Sequence, residues 1–221
     1  MADHTEDALI REVNDDLREE QMKMLWKRFG GYIIGVAVLI VAIVAGYQGW
    51  KQYDASTRGA EGENFHAAQQ LARTGDMNGA LQAFAQLSVD ADSGYGVLAE
   101  FQQAAIMAVK GDTAGAAQLY QKIAHDNSGD VALSGLATVQ GAMVDINAGG
   151  YDVGAMTLRL NAISGDAHPY RYSARELLGL VAMESGDTAQ ALDLFKQLSV
   201  DAKAPGGIHD RAKKLVQYLG G

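Results

Sequence analysis

Two hydrophobic patterns divide the chain. From Phe29 to Trp50 the sequence FGGYIIGVAVLIVAIVAGYQGW runs for 22 residues without a charge. Beyond about residue 61, apolar residues return three or four apart on short segments separated by glycine, the spacing of amphipathic helices. The first pattern predicts a transmembrane helix, because at about 1.5 Å per residue such a run spans roughly 33 Å, against about 30 Å of bilayer hydrocarbon. Its aliphatic stretch from Ile33 to Val44 favours insertion by roughly 3–5 kcal/mol. Trp26, Phe29 and Tyr32 flank one end and Tyr47, Trp50 and Tyr53 the other, as expected of aromatic belts at the two headgroup layers. The long charged leader, with no small-x-small cleavage site after the run, favours an uncleaved anchor over a signal peptide.

Orientation follows from the positive residues beside the span. Arg11, Arg18, Lys23, Lys27 and Arg28 precede it, whereas Lys51 and Arg58 follow, so the N-terminus is expected in the cytoplasm. The division expected is a cytoplasmic segment 1–28, a transmembrane helix 29–50, a linker 51–60 containing Ser, Thr and Gly, and an exterior domain 61–221. In a bacterial inner membrane that exterior is the periplasm. Gly31 and Gly35 form a G-x-x-x-G pair that would let two such helices approach, although glycines are common in membrane helices for other reasons. Before the span, Ile10, Val13, Leu17 and Met24 at near-helical spacing fit a short solvated helix.

The exterior part repeats. The segments GDMNGALQAFAQL, GDTAGAAQLYQKI and GDTAQALDLFKQL start at the pairs Gly75-Asp76, Gly111-Asp112 and Gly186-Asp187, and GYDVGAMTLRLNAI starts at Gly150. Five residues after each glycine stands Ala80, Ala116, Ala155 or Ala191, and nine after it Phe84, Tyr120 or Phe195, with Arg159 breaking the third unit. Glycine ends one helix in a left-handed conformation, Asp or Thr caps the next, and alanine permits a close helix crossing that a large aromatic then seals. A second helical stretch precedes each glycine, such as Phe101, Ala104, Ala105 and Met107, or Leu177, Leu178, Leu180 and Val181. Each unit is therefore expected to be a helical hairpin. One hairpin cannot bury both faces, so four of them should stack into an all-α solenoid. Beyond Pro205-Gly206-Gly207, Ile208, Ala212, Leu215, Val216 and Leu219 share one face of a predicted closing helix.

Composition narrows the function. The 221 residues contain no Cys, which excludes disulfide scaffolds, thiol nucleophiles and Cys-ligated zinc. A net charge of −9 argues against nucleic-acid binding, which needs a basic surface. His4, His66, His125, His168 and His209 are scattered without a zinc-binding spacing. No phosphate loop, nucleophile elbow or calcium loop is present in the sequence. Met107, Met143, Met156 and Met183 fall on helical faces, where core packing is the simpler use. No cofactor, small-molecule substrate or catalytic set is expected.

Leu178-Gly179, Gly186-Asp187, Ala191 and Phe195 fall where the tetratricopeptide pattern places its Leu-Gly, turn, small crossing residue and aromatic. Joined to a single leading anchor with Glu19-Glu20-Gln21 and Trp26 before it, Gly31 and Gly35 inside it and Trp50-x-x-Tyr53 after it, this arrangement resembles the YfgM-like ancillary subunits of the Sec translocon. The resemblance implies an inner-membrane protein whose periplasmic tetratricopeptide domain meets Sec translocon subunits and a membrane-anchored periplasmic chaperone of the prolyl-isomerase type. The alternative is an assembly or regulatory scaffold for another envelope process, such as cell-wall synthesis or a stress response. By register with the tetratricopeptide pattern, the concave partner groove would be lined by Phe65, Gln69, Phe101, Ala105, Gln140, Val144, Asn147, Glu176, Leu180 and Met183. Phe65 and Phe101 could equally be buried between hairpins.

Overall fold

The computed structural model describes the backbone of residues 3–91 and 93–220; among residues 1–34 only the side chain of Lys27 is described, and that of residue 37 is not. The described elements are α1 (Asp3–Arg73), α2 (Met77–Asp90), α3 (Gly94–Val109), α4 (Thr113–Asp126), α5 (Val131–Ala148), α6 (Val153–Asn161), α7 (Arg171–Glu184), α8 (Thr188–Val200) and α9 (Gly206–Tyr218). No strand occurs among the described residues. Two compact parts are distinguished, residues 1–57 and residues 58–221.

In the first part Val38, Leu39, Ile40, Val41, Ile43, Val44, Tyr47, Trp50 and Tyr53 are all exposed. Among the described residues no helix is long and apolar enough to cross a membrane. Residues 29–34 and 37 of the expected span, with Gly31 of the expected pairing motif, lie outside the described side chains. Gly35 is open, with nothing within 4 Å of the position a Cβ would take. Residues 51–60, expected as a linker, are helical, and the boundary between the two parts falls inside them.

The second part consists of four hairpins, made by the end of α1 with α2, α3 with α4, α5 with α6, and α7 with α8, followed by α9. Gly75, Gly111 and Gly186 adopt φ of +89°, +91° and +85°, which only glycine takes without strain. Asp76 and Asp112 donate their backbone N–H groups five residues back, to the carbonyls of Leu71 and Met107, each at 2.9 Å. That bond closes the end of the first helix in each of these hairpins. The same aspartates then start the second helix, their carboxylates accepting from the N–H groups of Gly79 at 2.8 Å and Gly115 at 3.0 Å; Asp187 does so from Gln190 at 3.0 Å.

The third hairpin corrects the expected register. Its turn holds two left-handed glycines, Gly149 and Gly150, and its cap is Asp152, which accepts from Ala155 N–H at 2.6 Å. Ala155, expected at the helix crossing, is exposed, because the extra turn residue shifts the packing positions by one. Met156 and Leu160 are the fully buried side chains there. Counted from the capping aspartate, the fourth following residue is Ala80, Ala116, Met156 or Ala191, and the eighth is Phe84, Tyr120, Leu160 or Phe195, each at most 4% exposed. Arg159 therefore does not interrupt the packing: it lies at the edge, its guanidinium 2.8 Å from the Asp145 carboxylate on α5.

Close helix crossings, within the fourth hairpin and between the second and third, explain the other small residues. A Cβ at Gly179 would stand 2.7 Å from the Phe195 ring, and one at Gly141 would stand 3.0 Å from Cβ of Tyr120. The glycines let a backbone rest directly on the aromatic of the adjoining helix. At the C-terminal end Ile208 and Ala212 of α9 are buried with Phe195 and Leu198, while Leu215, Val216 and Leu219 pack around them. Burying such side chains is worth about 1.5–3 kcal/mol each, which is why a closing helix is retained.

Candidate protein-binding face

The face built by the first helices of the hairpins is where the sequence places a partner groove, and the ten residues assigned to it divide into three groups. Gln69, Ala105 and Gln140 are half-buried and Asn147 is exposed, so these four are accessible. Phe101 and Val144 pack half-buried against the cluster of Ala104, Tyr120, Ile123 and Ala137, with the Phe101 ring 5.9 Å from that of Tyr120.

The remaining four are engaged elsewhere. Phe65 is core, its ring 5.4 Å from Phe84 and 5.7 Å from Tyr95, so its assignment to the groove is corrected. Large aromatics seal the gap between neighbouring helices before they serve a ligand. Glu176 is also buried, at 8% exposure, and its carboxylate receives the Arg211 guanidinium of α9 at 2.6 and 2.8 Å. That contact holds the Arg211 guanidinium above its ordinary value, despite the opposing cost of burial. Leu180 and Met183 pack against the cluster that contains Ile208 and Ala212 of α9. The C-terminal end of the face is thus covered by the chain's own last helix.

The open end carries a pocket of about 610 Å³, lined by Arg58 of α1, Ser93, Gly94, Tyr95, Val97 and Leu98 at the start of α3, and Leu133 of α5. Leu98 is 46% exposed, so its side chain is accessible at the pocket. The sequence reading missed these residues, although Leu98 lies seven before Ala105 and Leu133 seven before Gln140, on the same helical faces. Extending each face by two turns toward its N-terminus would have found them. The Ser93 hydroxyl caps α3 by accepting from Tyr95 N–H at 3.3 Å and donates to the buried Glu61 carboxylate. The pocket wall is therefore pinned to α1.

A second pocket, of about 320 Å³, lies among α4, α5 and α6, with Ala124, Ala137, Gly141 and Ile163 as its apolar wall. Arg159 at its edge is committed to Asp145. Among the described residues no three His, Cys, Asp or Glu side chains are placed to hold a metal ion.

No curated protein and no solved structure matches the chain. A family model described as a tetratricopeptide repeat-like domain matches residues 23–218, and folds of this type are typically non-catalytic. Stacked hairpins, positive-φ glycines, aspartate caps and buried crossing residues agree with that match at the level of individual side chains. The chain belongs to the tetratricopeptide repeat-like family, whose domains serve as scaffolds that bind protein partners.

Proposed function

We propose that the chain is a non-enzymatic, membrane-anchored scaffold that holds its repeat domain beside the Sec translocon in the periplasm and recruits chaperones or emerging substrates there. The observation that carries the reading is the open pocket at Leu98, Tyr95 and Leu133, an apolar hollow on the face that repeat proteins use for partners. Family membership supports a protein ligand. The uncharged run Phe29–Trp50 and the exposed apolar side chains from Val38 to Val44 support a lipid anchor, since a band of that extent left in water would aggregate. The excess of Lys and Arg before the run supports a cytoplasmic N-terminus. The resemblance to the YfgM-like subunits supports channel subunits and a prolyl-isomerase-type chaperone as the partners.

Tethering supplies the mechanism. Two proteins confined to one membrane meet at a high effective concentration, so a modest contact at one pocket suffices for lasting association. The test places a photoreactive amino acid at Leu98 or Leu133 in the membrane-bound protein and identifies what crosslinks in living cells, with the exposed Gln118 of α4 as control. Channel or prolyl-isomerase subunits captured from the pocket positions and not from Gln118 are the expected result. Capture of cell-wall or stress-response proteins instead would overturn the translocon role.

A further inference from the structure

Residues 162–170, which join α6 to α7, form the longest connection in the repeat domain; Ile163 at its start is buried with Val139 and Ala142 of α5, and its far end meets α5 through the rings of His168 and Tyr170, seated in a glycine notch. A Cβ at Gly135 of α5 would stand 2.6 Å from Cε1 of His168 and 2.7 Å from Cδ2 of Tyr170, so only glycine leaves room for the two rings. The Nδ1 atom of His168 accepts the Tyr170 backbone N–H at 3.2 Å. With Nδ1 an acceptor, a neutral ring carries its proton on Nε2. We propose that His168 is an acid-sensitive clasp, which holds the α6–α7 connection on α5 while neutral and releases it on protonation.

The surroundings favour the neutral ring. On the α7 side stand Arg171, whose backbone N–H and guanidinium both donate to the His168 carbonyl at 3.2 and 3.3 Å, and Arg175, whose charge is paired with Asp166 at 2.6 Å. Tyr170 lies 6.3 Å away ring to ring, and Tyr172 is covered by Arg171 at 4.2 Å. On the α5 side, the carboxylate of Asp130 is committed to the N–H groups of Ala132 and Leu133 at 2.9 and 3.0 Å. Among the described residues no carboxylate is hydrogen-bonded to the imidazole. Protonation would turn Nδ1 from acceptor to donor against a backbone N–H, and would set a half-buried cation against Gly135 and the Tyr170 ring. Burial accordingly pushes His168 below the ordinary histidine value.

The sign is fixed by linkage. A released connection titrates as an ordinary histidine, near about pH 6.5, whereas the docked ring resists protonation until lower pH. Docking is therefore intact at neutral pH, weakens as pH falls below that value, and stops weakening once the docked ring also protonates. Because α5 packs on α7 just beyond the notch, through Val139 and Ala142 against Ala174 and Leu177, release loosens the adjoining edge of the third and fourth hairpins.

The test uses the full-length protein in detergent micelles or nanodiscs. Histidine-selective NMR should show His168 titrating below the ordinary histidine value of about 6.5. Hydrogen exchange at about pH 7.5 and about pH 5.5, corrected for the intrinsic chemical rate, should show loss of protection over 162–170 at the acid value. His168→Asn keeps an acceptor and cannot titrate, so its protection should be independent of pH. Gly135→Ala, which closes the notch, should expose the connection at both values. A His168 that titrates at or above the ordinary histidine value, or an acid-induced loss that persists in His168→Asn, would overturn the proposal.

Discussion

Arg211 and Glu176 meet through two parallel hydrogen bonds, Nε to Oε1 at 2.6 Å and Nη2 to Oε2 at 2.8 Å, across 35 residues of chain. The carboxylate is buried on α7 and the guanidinium, on α9, is more than half exposed. The pair therefore orients the closing helix against the last hairpin. Arg211→Ala would leave a buried carboxylate without its partner and should cost about 1–2 kcal/mol, toward the low end of a charged hydrogen bond because solvent screens the arginine. Denaturant unfolding gives the value. A loss indistinguishable from that of Lys213→Ala, an exposed position on the same helix, would show that the pair contributes nothing.

The third hairpin offers a contrast between adjacent residues. Met156 is fully buried and Ala155 is exposed. Met156→Ala should cost about 2–5 kcal/mol, whereas Ala155→Ser should stay within about 0.5 kcal/mol. Equilibrium unfolding of the two variants checks the register, and a reversed order would restore the count from Gly150.

At Gly179 the constraint is steric. Phe195 is fully buried and has no room to retreat from an added methyl at 2.7 Å. Gly179→Ala is expected to destabilise by about 1–3 kcal/mol through overpacking, although alanine is the better helix former. A stabilised variant in a thermal melt would mean that the α7–α8 crossing is looser than described.

Alkaline pH probes the third turn. Burial and the Glu184 carboxylate, 2.6 Å from the Tyr151 hydroxyl, push that phenol up to about 12. The folded state thus keeps Tyr151 neutral where an unfolded chain would already ionise, so this contribution is whole below about pH 10 and is lost as pH rises toward about 12. Tyr151→Phe should flatten the fall of stability over that interval, and difference absorbance should show one fewer late-titrating tyrosine. An unchanged alkaline slope would rule out this residue as its source.

The legibility of the fold rests on turn chemistry. Glycine followed at once by aspartate marks Gly75, Gly111 and Gly186 without ambiguity, because one residue supplies positive φ and the next a cap. At Gly149 and Gly150 two glycines share the first task and Asp152 stands apart from them, so a count from glycine slips by one and makes Arg159 look like an interruption. Faces were less legible than turns. Phe65 and Leu98 both lie on first helices at helical spacing, and hydrophobicity alone ranks the phenylalanine as the better anchor. Contact with Phe84 and Tyr95 removes it from the surface, whereas the leucine is left at the pocket. Glu176 shows the same limit, since its partner Arg211 belongs to a helix whose docking angle no spacing rule supplies.

The outward side of α9 carries Lys213, Lys214 and Gln217 in water, at the position where a fifth hairpin would otherwise dock. A hydrated, lysine-bearing surface of this sort disfavours head-to-tail addition of another copy at that helix, as the polar outer face of a capping unit does.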